Sequence, residues 1–133
     1  MKILMGCSLL LWLVVTPALA VPPRLTEPAL SQELQQLEDD APPLLAYRAR
    51  VAALVAHVDA YPPEVQGRIA RLQCWAQPSE RDEEFLRAVQ FADRALAEVR
   101  GRKDRVAESG LLACRGYHQQ LLGNMDEARL DYA

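Results

Sequence analysis

Apolar positions recur at helical spacing along most of the chain, and each stripe breaks at proline or glycine. Leu30, Leu34 and Leu37 define a first helix with Ser31 as its cap, ended by Asp39-Asp40-Ala41-Pro42-Pro43. A second runs from about Leu44 to Ala60. One row of it carries Leu45, Ala49, Ala52 and Ala56, a neighbouring row Leu44, Val51, Val55 and Val58, and Tyr61-Pro62-Pro63 closes it. A third presents Val65, Ile69, Leu72 and Ala76 and stops at Pro78. The fourth has the strongest stripe, Phe85, Ala88, Val89, Ala92, Ala95, Leu96 and Val99, with Ser79 as cap and Gly101 as terminal glycine. A fifth spans about Asp104 to Leu122, with Val106, Ala113, Tyr117 and Leu121 among its apolar positions and Gly123 at its end. Asn124 then caps a sixth, with Glu127 completing a capping box, and that helix is still running at Ala133. No strand-like alternation competes. The expected fold is all-α, as antiparallel helical hairpins joined by short turns.

A second regularity overlies the first. Leu72, Cys74, Ala76, Phe85 and Ala88 are answered forty residues later by Leu112, Cys114, Gly116, Met125 and Ala128. A fixed period of this size marks helical-repeat arrays, where each helix pair buries its apolar face on the next. Such arrays bind and couple rather than catalyse. An array end without a capping repeat also implies marginal stability or self-association.

The first twenty residues form a separate unit. Lys2 is their only charge, the run Ile3 to Val15 is apolar apart from Gly6 and Ser8, and Ala18-Leu19-Ala20 completes an A-x-A ending. That describes a secretory signal peptide over 1–20, with cleavage after Ala20. The alternative, an uncleaved anchor, asks for about 20 apolar residues. Cys7 lies inside the apolar run and reads as a passive apolar residue. Residues 21–29 form a proline-marked linker and 30–133 the helical domain. Removing Lys2 from the 15 basic residues leaves 14 against 18 acidic ones, a net charge near −4. No basic patch interleaved with aromatics offers itself to nucleic acid. No second apolar run is long enough to span a bilayer. The product is expected to be exported to the periplasm.

Export permits a disulfide between Cys74 and Cys114. Adjacent helices sit about 8–10 Å apart, however, and bridged Cα atoms lie within about 7 Å. Equivalent positions on neighbouring helices also face the same way, so two free, half-buried thiols are the favoured expectation.

Leu112-x3-Gly116-x6-Gly123-x4-Ala128-x3-Tyr132 resembles the tetratricopeptide repeat, and the preceding unit matches at Leu72, Trp75, Ala76, Ala88 and Ala95. Arg115 and Gln119 stand where that pattern has large apolar groups, and Ala92 where it has an aromatic. The forty-residue period exceeds the usual one of about 34. The resemblance implies a right-handed solenoid of αα-hairpins, the last one incomplete, packed through these repeat positions. It also implies a concave surface lined by the first helix of each pair, where Arg68, Arg71, Arg115, Tyr117, His118 and Gln119 are candidate partner-binding residues. Arginine and tyrosine are enriched at binding hot spots.

A signal peptide ahead of a degenerate Ala-rich array, with Leu111 to Tyr117 followed by Gly123 to Ala128, is also similar to the exported sensory region of bacterial GGDEF diguanylate cyclases. The resemblance implies a membrane span and a cyclase domain beyond the array. The chain itself contains no GG[DE]EF string. A stand-alone periplasmic adaptor that binds peptides or envelope proteins is the second reading.

Nothing in the sequence points to catalysis, a cofactor or a metal. Glu80, Asp82, Glu83 and Glu84 form the densest acidic cluster, and they read as first-turn carboxylates at the positive end of a helix. His57 and His118 lie on different repeats without the convergent partners that a metal or general-base role needs, and His57 reads as a helix-surface residue. There is no G-x-S-x-G and no phosphate-cradling glycine loop.

Overall fold

The computed structural model describes residues 21–133, so the proposed signal peptide and Cys7 lie outside the described residues. Within them the chain is all-helical, without a strand. The helices are α1 (Glu27–Asp39), α2 (Leu44–Val55), α3 (Pro63–Trp75), α4 (Asp82–Gly101), α5 (Arg105–Leu121) and α6 (Met125–Tyr132), with a 3₁₀ turn at Val58–Ala60.

Several helix ends differ from the expectation, each for a local reason. α1 begins at Glu27, ahead of the expected Ser31 cap, because Pro28 is accommodated in its first turn and Thr26 takes the extended N-cap backbone. Ser31 therefore lies within α1 rather than capping it. α2 stops at Val55, and the remaining residues tighten into the 3₁₀ turn ahead of the extended Tyr61. Its inward face is Tyr47, Val51 and Leu54, while the Leu45-Ala49-Ala52-Ala56 row faces solvent.

α4 starts after Arg81 rather than at a Ser79 cap. Glu84 reaches back instead, accepting the Glu80 N–H at 2.8 Å and pairing with Arg81 at 3.0 Å. Gly101 belongs to the last turn of α4, and the left-handed residue beyond it is Lys103, with φ 59°. The Asp104 N–H reaches Val99 O and the Lys103 N–H reaches Arg100 O, the paired bonds of a Schellman end. The end of α5 repeats that pattern, with Gly123 at φ 82° in the left-handed position.

Asp104 caps α5 through Oδ1, which accepts the Ala107 N–H at 3.1 Å. The expected Asn124–Glu127 capping box does not form. Asn124 Nδ2 donates to Gln119 Oε1 at 2.7 Å, and its side chain makes no cap bond.

Two apolar clusters result. The first joins α1, α2 and α3 through Leu30, Leu34, Leu37, Tyr47, Val51, Leu54, Tyr61, Ile69 and Leu72. The second joins α3, α4 and α5 through Cys74, Ala92, Ala95, Leu96, Val99, Ala107, Leu111 and Cys114. α3 serves both. α6 closes over α5, where Ala128 is buried and a Cβ on Gly116 would meet the Tyr132 ring at 2.9 Å. Of the expected packing positions, Trp75 and Tyr132 are instead substantially exposed.

Candidate functional site

The site is built on the contact between α3 and α5. These helices run parallel and in register: Gly67 lies against Asp104 and Ala107, Arg71 against Gly110, and Cys74 against Cys114. A side chain at Gly67 or Gly110 would collide with the opposite helix, so glycine at both positions permits an approach that larger residues forbid.

Cys74 and Cys114 are joined by a disulfide, with Cα atoms 6.4 Å apart, and both are fully buried. The expectation of free thiols is thereby corrected. In-register parallel helices brought together at glycine turn equivalent positions towards each other, and the Cα separation falls inside the bridging range.

Four rings gather beside the disulfide. His118 is 2% exposed, its Nδ1–H donates to Cys114 O at 2.8 Å, and the same nitrogen lies 3.7 Å from Cys114 Sγ. Tyr117 meets it edge-on at 5.3 Å between centroids, and Phe85 backs it at 6.4 Å. Trp75 leans on Tyr117 at 5.5 Å and on His118 at 6.3 Å. Trp75 and Tyr117 remain 40% and 42% exposed, an unusual position for two large rings held this firmly.

They flank a cleft of about 250 Å³ that Leu44, Arg48 and Gln77 also line. Arg48 is fixed rather than swinging free, since its Nε donates to Ala76 O at 3.0 Å and Nη2 to Gln77 O at 3.4 Å. The cleft thus combines two aromatic faces, the apolar Leu44 and an anchored guanidinium.

The six candidate partner-binding residues do not form one surface. Arg68 pairs with Glu38 through two bonds of 3.0 and 2.7 Å, and Arg71 reaches the same carboxylate at 2.8 Å. The hydrogen bond from Arg68, aided by both positive charges, holds the Glu38 carboxyl below its ordinary range. Arg115 clamps Asp131 at 2.9 and 2.6 Å and reaches Asp93 at 2.7 Å, tying α4, α5 and α6 together. Those bonds, Asp131's foremost, raise its affinity for its proton above the ordinary arginine value. Gln119 holds Asn124. Only Tyr117 and His118 meet at the cleft.

Trp75, read from the sequence as packing, forms one wall of the cleft. Leu44 and Arg48 come from a helix that the repeat comparison does not reach. For the two aromatic walls the legible signal was the chain order: Trp75 follows Cys74, and Tyr117 follows Cys114, within one helical turn. His57 sits at the 3₁₀ turn and contacts Pro22 O rather than lying on a helix surface.

Among the described residues no three His, Cys, Asp or Glu side chains converge as a metal site would require, and no helix is long and apolar enough to cross a membrane. No protein family, curated protein or solved structure matches the chain, so the residues themselves carry the functional reading.

Proposed function

We propose that the chain is an exported, tetratricopeptide-like interaction module that holds a partner segment or ligand in the cleft between Trp75 and Tyr117. The observation that carries this is the pair of half-exposed rings fixed on a disulfide-bonded floor. Rigid aromatic faces offer large contact area at low ordering cost, which is what binding selects. The hairpin-array reading is supported by the parallel pairing of α3 with α5 at the forty-residue period and by α6 closing on α5.

The test is peptide display against the purified chain with counter-selection on Trp75→Ala and Tyr117→Ala. Sequences enriched on the parent and lost on both variants support the reading. Enrichment indifferent to both substitutions would remove the cleft from it.

On the resemblance at Leu111 to Ala128, we place this module in the sensory part of a membrane signalling protein such as a diguanylate cyclase. Reading the gene past the codon for Ala133 tests that placement. A membrane span followed by GG[DE]EF supports it, and a stop codon leaves the adaptor reading.

A further inference from the structure

A second concavity, of about 450 Å³, lies at the other end of the fold between α1, α2 and residues 21–26. Its size falls within the range of small-molecule sites, about 300–1,000 Å³. Pro22, Pro23 and Leu25 form one wall, and Ala29, Ala53 and Leu54 form the other.

The proline-bearing wall is held in place rather than draped. Arg24 Nη2 donates to Ala60 O at 2.9 Å and its guanidinium lies 5.7 Å over the Tyr61 ring. The Leu25 N–H donates to Tyr61 Oη at 3.2 Å, and His57 Nε2 contacts Pro22 O. Two consecutive prolines stiffen the segment further. The cavity is therefore preformed.

Its charges are already matched. Arg50 donates to both Glu33 oxygens, at 2.7 and 2.6 Å, and to Gln36 Oε1 at 2.9 Å. An anion entering here would compete with Glu33 for the guanidinium, and a cation would compete with Arg50 for the carboxylate. Either exchange breaks a bidentate pair, the strongest kind of side-chain bond on this wall. The amide groups of Gln32 and Gln36 stand beside that pair. The ion pair engages Gln36 only through its oxygen, which leaves the Nε2 hydrogens of this exposed lining residue unused by that pair.

From these observations we infer that the cavity binds an uncharged amphiphile: an apolar body against the proline, leucine and alanine walls, and a hydroxyl or carbonyl at the glutamine amides. This site is independent of the aromatic cleft.

The test is fluorescence titration of the purified full chain with the neutral dye N-phenylnaphthylamine, followed by displacement with octanol, octanoate and octylammonium. The expected result is saturable one-to-one binding, displaced by octanol at concentrations about tenfold below those of either charged analogue. Ala53→Trp, which fills the half-buried wall, and Ala29→Phe, at an exposed position that spares the core, each weaken dye binding by about tenfold with the helical circular dichroism unchanged. Equal displacement by octanoate, dye binding unaffected by both variants, or no saturable binding would each overturn the inference.

Discussion

Reducing the Cys74–Cys114 disulfide tests the central contact of the fold directly. The bond joins residues 40 apart in sequence, and closing a loop of that length in the unfolded chain corresponds to about 4 kcal/mol of stabilisation. Domains of this size are stable by about 5–15 kcal/mol, so the loss is a large fraction of the whole. Both cysteines are fully buried on the α3–α5 seam, where the native geometry they hold is also the geometry of the cleft walls. The assay is urea unfolding of the chain produced under oxidising conditions, with and without a dithiol reductant. For a urea dependence of about 1.5–2 kcal/mol per molar, the midpoint falls by about 2–3 M on reduction. Non-reduced tryptic mapping should link peptide 72–81 to peptide 106–115. Coincident midpoints, or a Cys74 peptide recovered unlinked from oxidised protein, would refute the argument and with it the register of α3 on α5.

Three further outcomes follow from named contacts. Gly67→Ala drives a Cβ into Asp104 and Ala107 and lowers stability by about 1–3 kcal/mol, whereas Gly101→Ala, with open space around it in a helix, raises it by about 0.5–1 kcal/mol; thermal melts of the two should move in opposite directions. Asp131→Asn weakens the clamp on Arg115 and costs about 2–3 kcal/mol, with amide exchange in α6 accelerating before that in α4; unchanged α6 protection would contradict the clamp. Because the hydrogen bond from Arg68 and the charges of Arg68 and Arg71 hold the Glu38 carboxyl below its ordinary range, its contribution is present above the ordinary carboxyl range and is lost as pH falls through the folded-state value. Glu38→Gln should flatten the acid limb of a stability–pH curve, and a parallel, merely shifted curve would rule the linkage out.

The helices were readable because Leu30, Leu34 and Leu37, or Ala88, Ala92 and Ala95, repeat at 3.6-residue spacing and their buried faces follow from that. The inward face of α2 was not fully readable. Its alanine row and its valine row both satisfy the helical period, and only the position of α3 decides that Tyr47, Val51 and Leu54 turn in. The disulfide escaped for a related reason. The period placed Cys74 and Cys114 in phase, but the standard helix separation assumes ordinary side chains, while Gly67 and Gly110 allow a closer seam. The arginines are a matter of long-range pairing. Arg68 finds Glu38 and Arg115 finds Asp131 across 30 and 16 residues, distances at which a sequence gives no partner. Tyr117 was found as a surface aromatic, while Arg48 and Leu44 reach the cleft only through the packing of α2 on α3.

The position of α3 in both apolar clusters makes it a party wall. Leu54, which borders the proline-walled cavity, packs in the cluster that holds Ile69 and Leu72, and the Tyr47 hydroxyl donates to Leu72 O at 3.2 Å. Two residues further on, Cys74 carries the bond to α5 and Trp75 begins the cleft. Neither half can melt without stripping a face of the helix on which the other half is built. The chain should therefore open as one cooperative unit, and whatever steadies its first two helices also steadies the aromatic walls beyond α3.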